Sequence, residues 1–150
     1  MKIVIDTNIL FSALINVNSN IGNLILNGSK HFEFYSINFM LFEINKHFDK
    51  LLKLSKLSQN DLEELLQILS NKINFYDEND LPISVRKVAF NLVREIDLND
   101  LYFVALGEHI NAKLWTGDKK LINGLQHKNY SKLITTKELI ELYLEYKIKT

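Results

Sequence analysis

Cysteine is absent from the 150 residues. That excludes a disulfide framework, a Cys-ligated zinc or iron–sulfur site and a thiol nucleophile. It agrees with a reducing compartment, so a cytoplasmic protein is expected. Proline occurs once, at Pro82, and glycine five times. So few chain breakers argue against long structureless linkers and favour helices. No apolar run approaches the ~20 residues that span a bilayer, and no membrane association is expected. Met1 leads directly into the apolar segment Lys2–Asp6, without the basic, apolar and small-residue layout of a signal peptide. Net charge is also missing, because 18 Lys and Arg balance 18 Asp and Glu. Global charge therefore gives no attraction to nucleic acid, and any such binding rests on local patches. The four histidines, His31, His47, His109 and His127, show no pairing at metal-ligand spacing and read as surface residues.

What is present is a chain of single-domain length, 47% hydrophobic, with enough apolar material for a core. Strand-like and helix-like segments alternate. Strands are expected at Lys2–Asp6, His31–Ser36, Ile73–Tyr76, Ala112–Thr116 and Lys132–Thr135. Helices are expected at Thr7–Ile15, Asn20–Leu26, Asn38 to about Leu54, from Ser58 onward, Leu81–Ile96, Asn99–Ile110, Asp118–Leu125 and Thr136–Lys147. Ser58 with Asp61 reads as an acidic variant of the capping box. Pro82 fits a first helical turn. Asn99–Ile110 is apolar almost all round, so it should be buried. The alternation predicts an α/β three-layer sandwich, with a mainly parallel sheet of roughly four to five strands flanked by helices. Ligands of such sheets bind beyond the carboxyl ends of the strands.

Carboxylates gather where that rule directs attention. Asp6 ends the first strand, and Asp118 follows the Ala112–Thr116 strand through a Gly117 turn. Asp97 and Asp100 stand before and at the start of the apolar helix, and Glu43 lies early in the Asn38–Leu54 segment. Clustered acids raise one another's pKa unless a positive group joins them. Hard divalent cations with oxygen ligands resolve that conflict, and Mg²⁺ in particular suits phosphodiester chemistry. Taken singly, each acid has a plainer reading. Asp6, Asp97 and Asp118 fit helix caps, Asp100 fits a first-turn acid, and Glu43 fits a solvated helix face.

Four segments together resemble the PIN-domain family: VIDTNIL at 4–10, a Glu inside the third helix, DLNDLYFVAL at 97–106 and LWTGDKKL at 114–121. The resemblance is strongest to the VapC-like toxin ribonucleases of type II toxin–antitoxin pairs and extends to the closing LITTKELIELYL. It implies catalytic and Mg²⁺- or Mn²⁺-holding roles for Asp6, Glu43, Asp100 and Asp118, with Asp97 as an extra acid beside the metal. Asn8 and Thr116 match polar positions that orient the carboxylates. Glu33 is the fallback for Glu43. The resemblance further implies an RNA substrate, a homodimer and a cognate antitoxin. An RNA-processing PIN nuclease and a non-catalytic PIN-like binding module are the alternatives. A haloacid-dehalogenase-like phosphatase is disfavoured, because Asn8 stands where its second Asp is needed. A receiver domain is disfavoured, because Val4 and Ile5 supply no acidic pair.

Lysines supply the local charge. With Asn38–Leu54 taken as one helix at ~100° per residue, Lys46, Lys50 and Lys53 fall to one side of Glu43. Met40, Ile44, Phe48 and Leu51 fall to the other. The lysine row reads either as an RNA path or as a solvated face. Lys119, next to Lys120 after the last acid, reads as a phosphate contact or as a surface lysine. Trp115, inside a strand, reads as core.

Overall fold

The computed structural model describes residues 1–149. One sheet is built from β1 (Lys2–Ile5), β2 (Glu33–Ile37), β3 (Ile73–Tyr76), β4 (Lys113–Trp115) and β5 (Leu133–Ile134). Every neighbouring pair is parallel, in the order β3-β2-β1-β4-β5. Parallel strands need crossovers, and helices supply them on both faces. They are α1 (Thr7–Ile15), α2 (Asn20–Gly28), α3 (Asn38–Lys46), α4 (Phe48–Ser55), α5 (Gln59–Ser70), α6 (Ile83–Val93), α7 (Leu101–Ile110), α8 (Lys119–His127) and α9 (Thr136–Lys149). The expected α/β sandwich with a parallel central sheet is the architecture observed.

Strand β1 is the middle of the sheet, and Ile3, Val4 and Ile5 are each 0% exposed. Helix α7 packs against β1, β2 and β4, and Phe103 through Gly107 are buried. That explains its lack of a polar face. Trp115 is core as expected, and its indole N–H donates to Thr136 Oγ1 at 3.0 Å. No single helix among the described residues is long and apolar enough to cross a membrane.

The topology creates a switch point. The chain lays β2 and β3 on one side of β1, then places β4 on the other. Ile5 is in register with Trp115, and the Asp6 N–H donates to Trp115 O at 3.3 Å. The two strands therefore end level, and a crevice opens between their carboxyl ends.

Three expectations need correction. The Asn38–Leu54 segment is two helices, broken at His47, whose φ of −107° and ψ of 21° leave the helical range. The His47 N–H is shared between Glu43 O and Ile44 O, both at 3.2 Å. Beyond the break, α4 turns to lie along α1 and α5, so tertiary packing overrides the local helical pattern. Pro82 precedes α6 as its cap residue, and that helix ends at Val93 rather than Ile96. Finally, a 3₁₀ turn over Leu98–Asp100 precedes α7 where a continuous α-helix was expected.

Candidate active site

The crevice at the switch point is a cleft of about 130 Å³ lined by Asp6, Thr7, Asn8, Glu43, Asp97, Asn99, Asp100, Phe103 and Asp118. All five sequence-selected acids line it, and no Lys, Arg or His does.

Asp6 leaves β1 and caps α1, its Oδ1 accepting the Ile9 N–H at 3.1 Å. It is 3% exposed. Burial raises its pKa to about 6. Hydrogen bonds from the Thr116 hydroxyl and from the Ile9 and Asn8 N–H groups pull the other way, while the Asp118 charge adds to the rise. Thr116 also accepts the Asp118 N–H on its Oγ1 at 3.1 Å. One buried hydroxyl thus ties together the acids that follow β1 and β4. Asn8 lines the cleft with an exposed side chain, and its link to Asp6 is through the backbone.

Glu43 is half-buried on α3 and accepts a short hydrogen bond from Thr7 Oγ1. That contact joins α3 to the first residue of α1. The fallback, Glu33, lies at the other end of the sheet in register with Lys2, and accepts a hydrogen bond from the Tyr35 hydroxyl at 3.0 Å. It takes no part in the cleft.

Asp97 and Asp100 flank the 3₁₀ turn. Their carboxylates lie close enough for the Asp97 charge to act on Asp100. Asp97 is exposed and caps the turn, accepting the Asn99 N–H at 2.9 Å. Asp100 makes no capping bond, and its Oδ2 is buried without a hydrogen-bond partner. Burial raises its pKa to about 7, with further contributions from the charges of Asp97, Asp6, Asp118 and Glu43 in that order.

Asp118 caps α8, accepting the Lys120 and Leu121 N–H groups at 3.0 and 3.4 Å. Helix α8 is held close to the Asp97 loop by Gly124, where an added Cβ would stand 2.4 Å from Ile96 Cδ1. A side chain at this position would force the Ile96 side chain to shift.

Asp6, Asp97 and Asp118 therefore each cap a helical turn and also line the cleft. Capping uses one carboxylate edge and leaves acidity in the cleft. Asp100 is the acid that capping does not explain. Among the described residues, no three acidic or histidine side chains converge tightly enough to define a metal site by geometry alone.

A second cleft, of about 210 Å³, shares Thr7, Asn8 and Glu43 with the first and adds Phe11, His47 and Lys50. Lys50 thus shares a cleft with Glu43, whereas Lys46, Lys53 and Lys119, exposed like Lys50, line neither cleft. Sequence reasoning passed over Thr7, Asn99, Phe11 and His47. A hydroxyl directly after Asp6 was an available signal for Thr7. Nothing in the spacing of Phe11 or His47 pointed to the site.

A search of curated proteins found no match. Among solved structures, the chain is similar to VapBC2 from Rickettsia felis, bound to a DNA fragment from their promoter, with a TM-score of 0.61 and 19% identity. That match covers 90% of this chain and 97% of the other. It is also similar to a PilT N-terminus domain protein from the archaeon Sulfolobus solfataricus, with a TM-score of 0.55, 16% identity, and 97% and 95% coverage. At such identities these likenesses establish the fold. The family model for the PIN domain matches residues 4–145, a span that holds β1 through β5 apart from its first two residues and carries all five acids, and the chain belongs to the PIN-domain family.

Proposed function

We propose that this PIN domain is a divalent-metal-dependent endoribonuclease that hydrolyses phosphodiester bonds in single-stranded RNA. The observation that carries the reading is Asp100 Oδ2, buried, unpartnered and facing other acids. An orphaned carboxylate oxygen is costly in a folded chain unless function retains it.

The donors in the cleft fit a hard cation, since they are carboxylate, hydroxyl and amide groups with no cationic side chain among them. Asp6, Glu43, Asp100 and Asp118 are assigned as the residues that would hold Mg²⁺ or Mn²⁺, with Asp97 at the exposed rim. When bound, the metal supplies charge stabilisation at the phosphate and acidifies water. The protein's own part is orientation. Helix α1 fixes Asp6, helix α8 fixes Asp118, and Thr116 couples the two. Thr7 fixes Glu43. Asp100 must lose its proton to bind the metal, so metal affinity should weaken as pH falls below about 7.

We further assign the chain as a single nuclease domain over 1–150, acting in the cytoplasm as the toxin of a toxin–antitoxin pair, with a protein antitoxin as partner. The likeness to the VapBC2 structure supports this assignment. A homodimer is assigned through α3–α5, where Phe42, Leu54 and Ile68 are 62%, 47% and 43% exposed.

The test is cleavage of a labelled single-stranded RNA by the purified chain. Mg²⁺ or Mn²⁺ should support cutting, and excess EDTA should abolish it. Full activity in EDTA overturns the reading. Induced expression that leaves growth unaffected would remove the toxin role and leave the ribonuclease intact.

A further inference from the structure

The second cleft has no assigned role, yet it opens directly from the acids. Its shared wall of Thr7, Asn8 and Glu43 separates two chemically different floors. One is acidic. The other carries a half-buried aromatic ring, a lysine and a histidine. Lys50 shares this cleft with Glu43 but is not ion-paired to it among the described residues. Its Nζ rests instead over the Phe11 ring, 5.8 Å from the centroid. Glu43 is already engaged by Thr7. The break at His47 creates this arrangement, because it turns α4 along α1 and so brings Lys50 over Phe11.

We propose that this cleft is a nucleotide subsite for the strand being cut. It takes the nucleotide adjacent to the scissile phosphate, with the base on Phe11 and the phosphate at Lys50. The inference rests on the ribonuclease reading and adds the substrate contact that reading lacks. An aromatic face beside a mobile ammonium group is the combination that binds single strands. The four-carbon stem lets Nζ swing from the ring to a phosphate as a base arrives. The His47 imidazole, exposed at the same cleft, can hydrogen-bond the sugar or the phosphate. Phe11 is reached only by an unstacked base, so the subsite selects unpaired RNA.

The test is binding of a fluorescein-labelled single-stranded RNA ten-mer, with Ca²⁺ replacing the catalytic metal, over a salt series. Lys50→Gln should weaken binding about threefold to tenfold and lower the log–log salt slope by about 0.7, the share of one phosphate contact on a single strand. Phe11→Leu should weaken binding about fivefold or more, the value of one stacked base, with little change in salt slope. Lys113→Gln removes the same charge at the opposite end of the sheet and should match wild type. Lys50 is exposed, so its variant folds even if Phe11→Leu does not. Wild-type affinity and slope in Lys50→Gln would overturn the subsite. So would a fully paired duplex of the same sequence competing as well as the strand. Mn²⁺-dependent cutting by wild type, and its loss in Asp100→Asn, is measured in parallel. Cutting with normal binding by both cleft variants would sink the subsite alone, whereas no cutting by wild type would sink the ribonuclease reading.

Discussion

The two ends of the sheet carry the same residue types and treat them in opposite ways. At the amino end, charges are exposed or half-buried and find partners. Glu33 accepts from the Tyr35 hydroxyl at 3.0 Å, Lys2 lies 6.0 Å from the same ring, and Lys132 pairs with Glu108 at 3.4 Å. At the carboxyl end, five acids line one small cleft without a cation, and one of their oxygens is buried and unpartnered. Both ends are built on the same strands and the same apolar layer. The difference is therefore not one of fold. Folding disposes of charge cheaply where it has no use for it, by exposure and pairing. Where charge is kept together and dry, the cost points to a ligand of opposite sign.

The comparison can be broken from below or from either side. The largest effect is expected from the layer both ends share. Trp115 is fully buried, contacts Phe34 at a ring separation of 6.1 Å and bonds Thr136. Trp115→Ala should cost about 3–5 kcal/mol by chemical denaturation. A cost below ~1 kcal/mol would mean the ends do not rest on a common core. Next in size is the asymmetry of the acids. Asp6→Asn, Asp100→Asn and Asp118→Asn should each lose more than about 100-fold in RNA cleavage, beyond what outer contacts to a metal site typically cost. Glu33→Gln should leave cleavage unchanged. Equal losses at both ends would remove the functional distinction. Smaller again is Thr116→Val, which keeps shape and removes the hydroxyl that ties Asp6 to Asp118. Cleavage should fall about 10- to 100-fold with the fold intact. A normal rate would show that the strand ends hold the acids without it.

Much of this contrast was legible in the residues, and the limits have physical causes. Parallel strands buried on both faces announce themselves as short apolar runs, and Ile73–Tyr76 formed as expected. The helix starts were legible because capping is local chemistry. Ser58 accepts the Asp61 N–H at 3.2 Å as its spacing implied. Asp6, Asp97, Asp100 and Asp118 were found because they stand at element ends, which the sequence marks. Glu43 sits inside a helix and needed the family resemblance as well. The break at His47 was not legible. No proline or glycine marks it, and the apolar pattern runs through to Leu51. Its cause is the packing of α4 on α1 and α5, a contact between distant segments. The Lys50–Phe11 cleft depends on that break, so the lysine row drawn along one straight helix was resolved into a single lysine that shares a cleft with Glu43.

The finest test of the contrast is thermal. Asp6 and Asp100 have folded-state pKa values of about 6 and about 7, both above the ordinary 3.8. Between about pH 4 and 7 the folded state therefore holds protons that the unfolded chain has released, and stability falls as pH rises. The contribution is complete below the unfolded pKa and gone once pH passes the folded values. In EDTA, the wild-type protein should melt a few degrees higher at pH 5 than at pH 8 on account of these two groups. Asp100→Asn removes the larger share, because an amide carries no charge to desolvate. Its melting temperature should be at or above wild type at pH 8, and its pH dependence flatter. Comparing the two proteins cancels every contribution common to both. Mn²⁺ should raise the wild-type melting temperature at pH 8 by binding the folded state, and should do so less in Asp100→Asn. Identical pH profiles for the two metal-free proteins would mean that Asp100 stores no electrostatic cost, and the acids of the cleft would then be distinguished by their number alone.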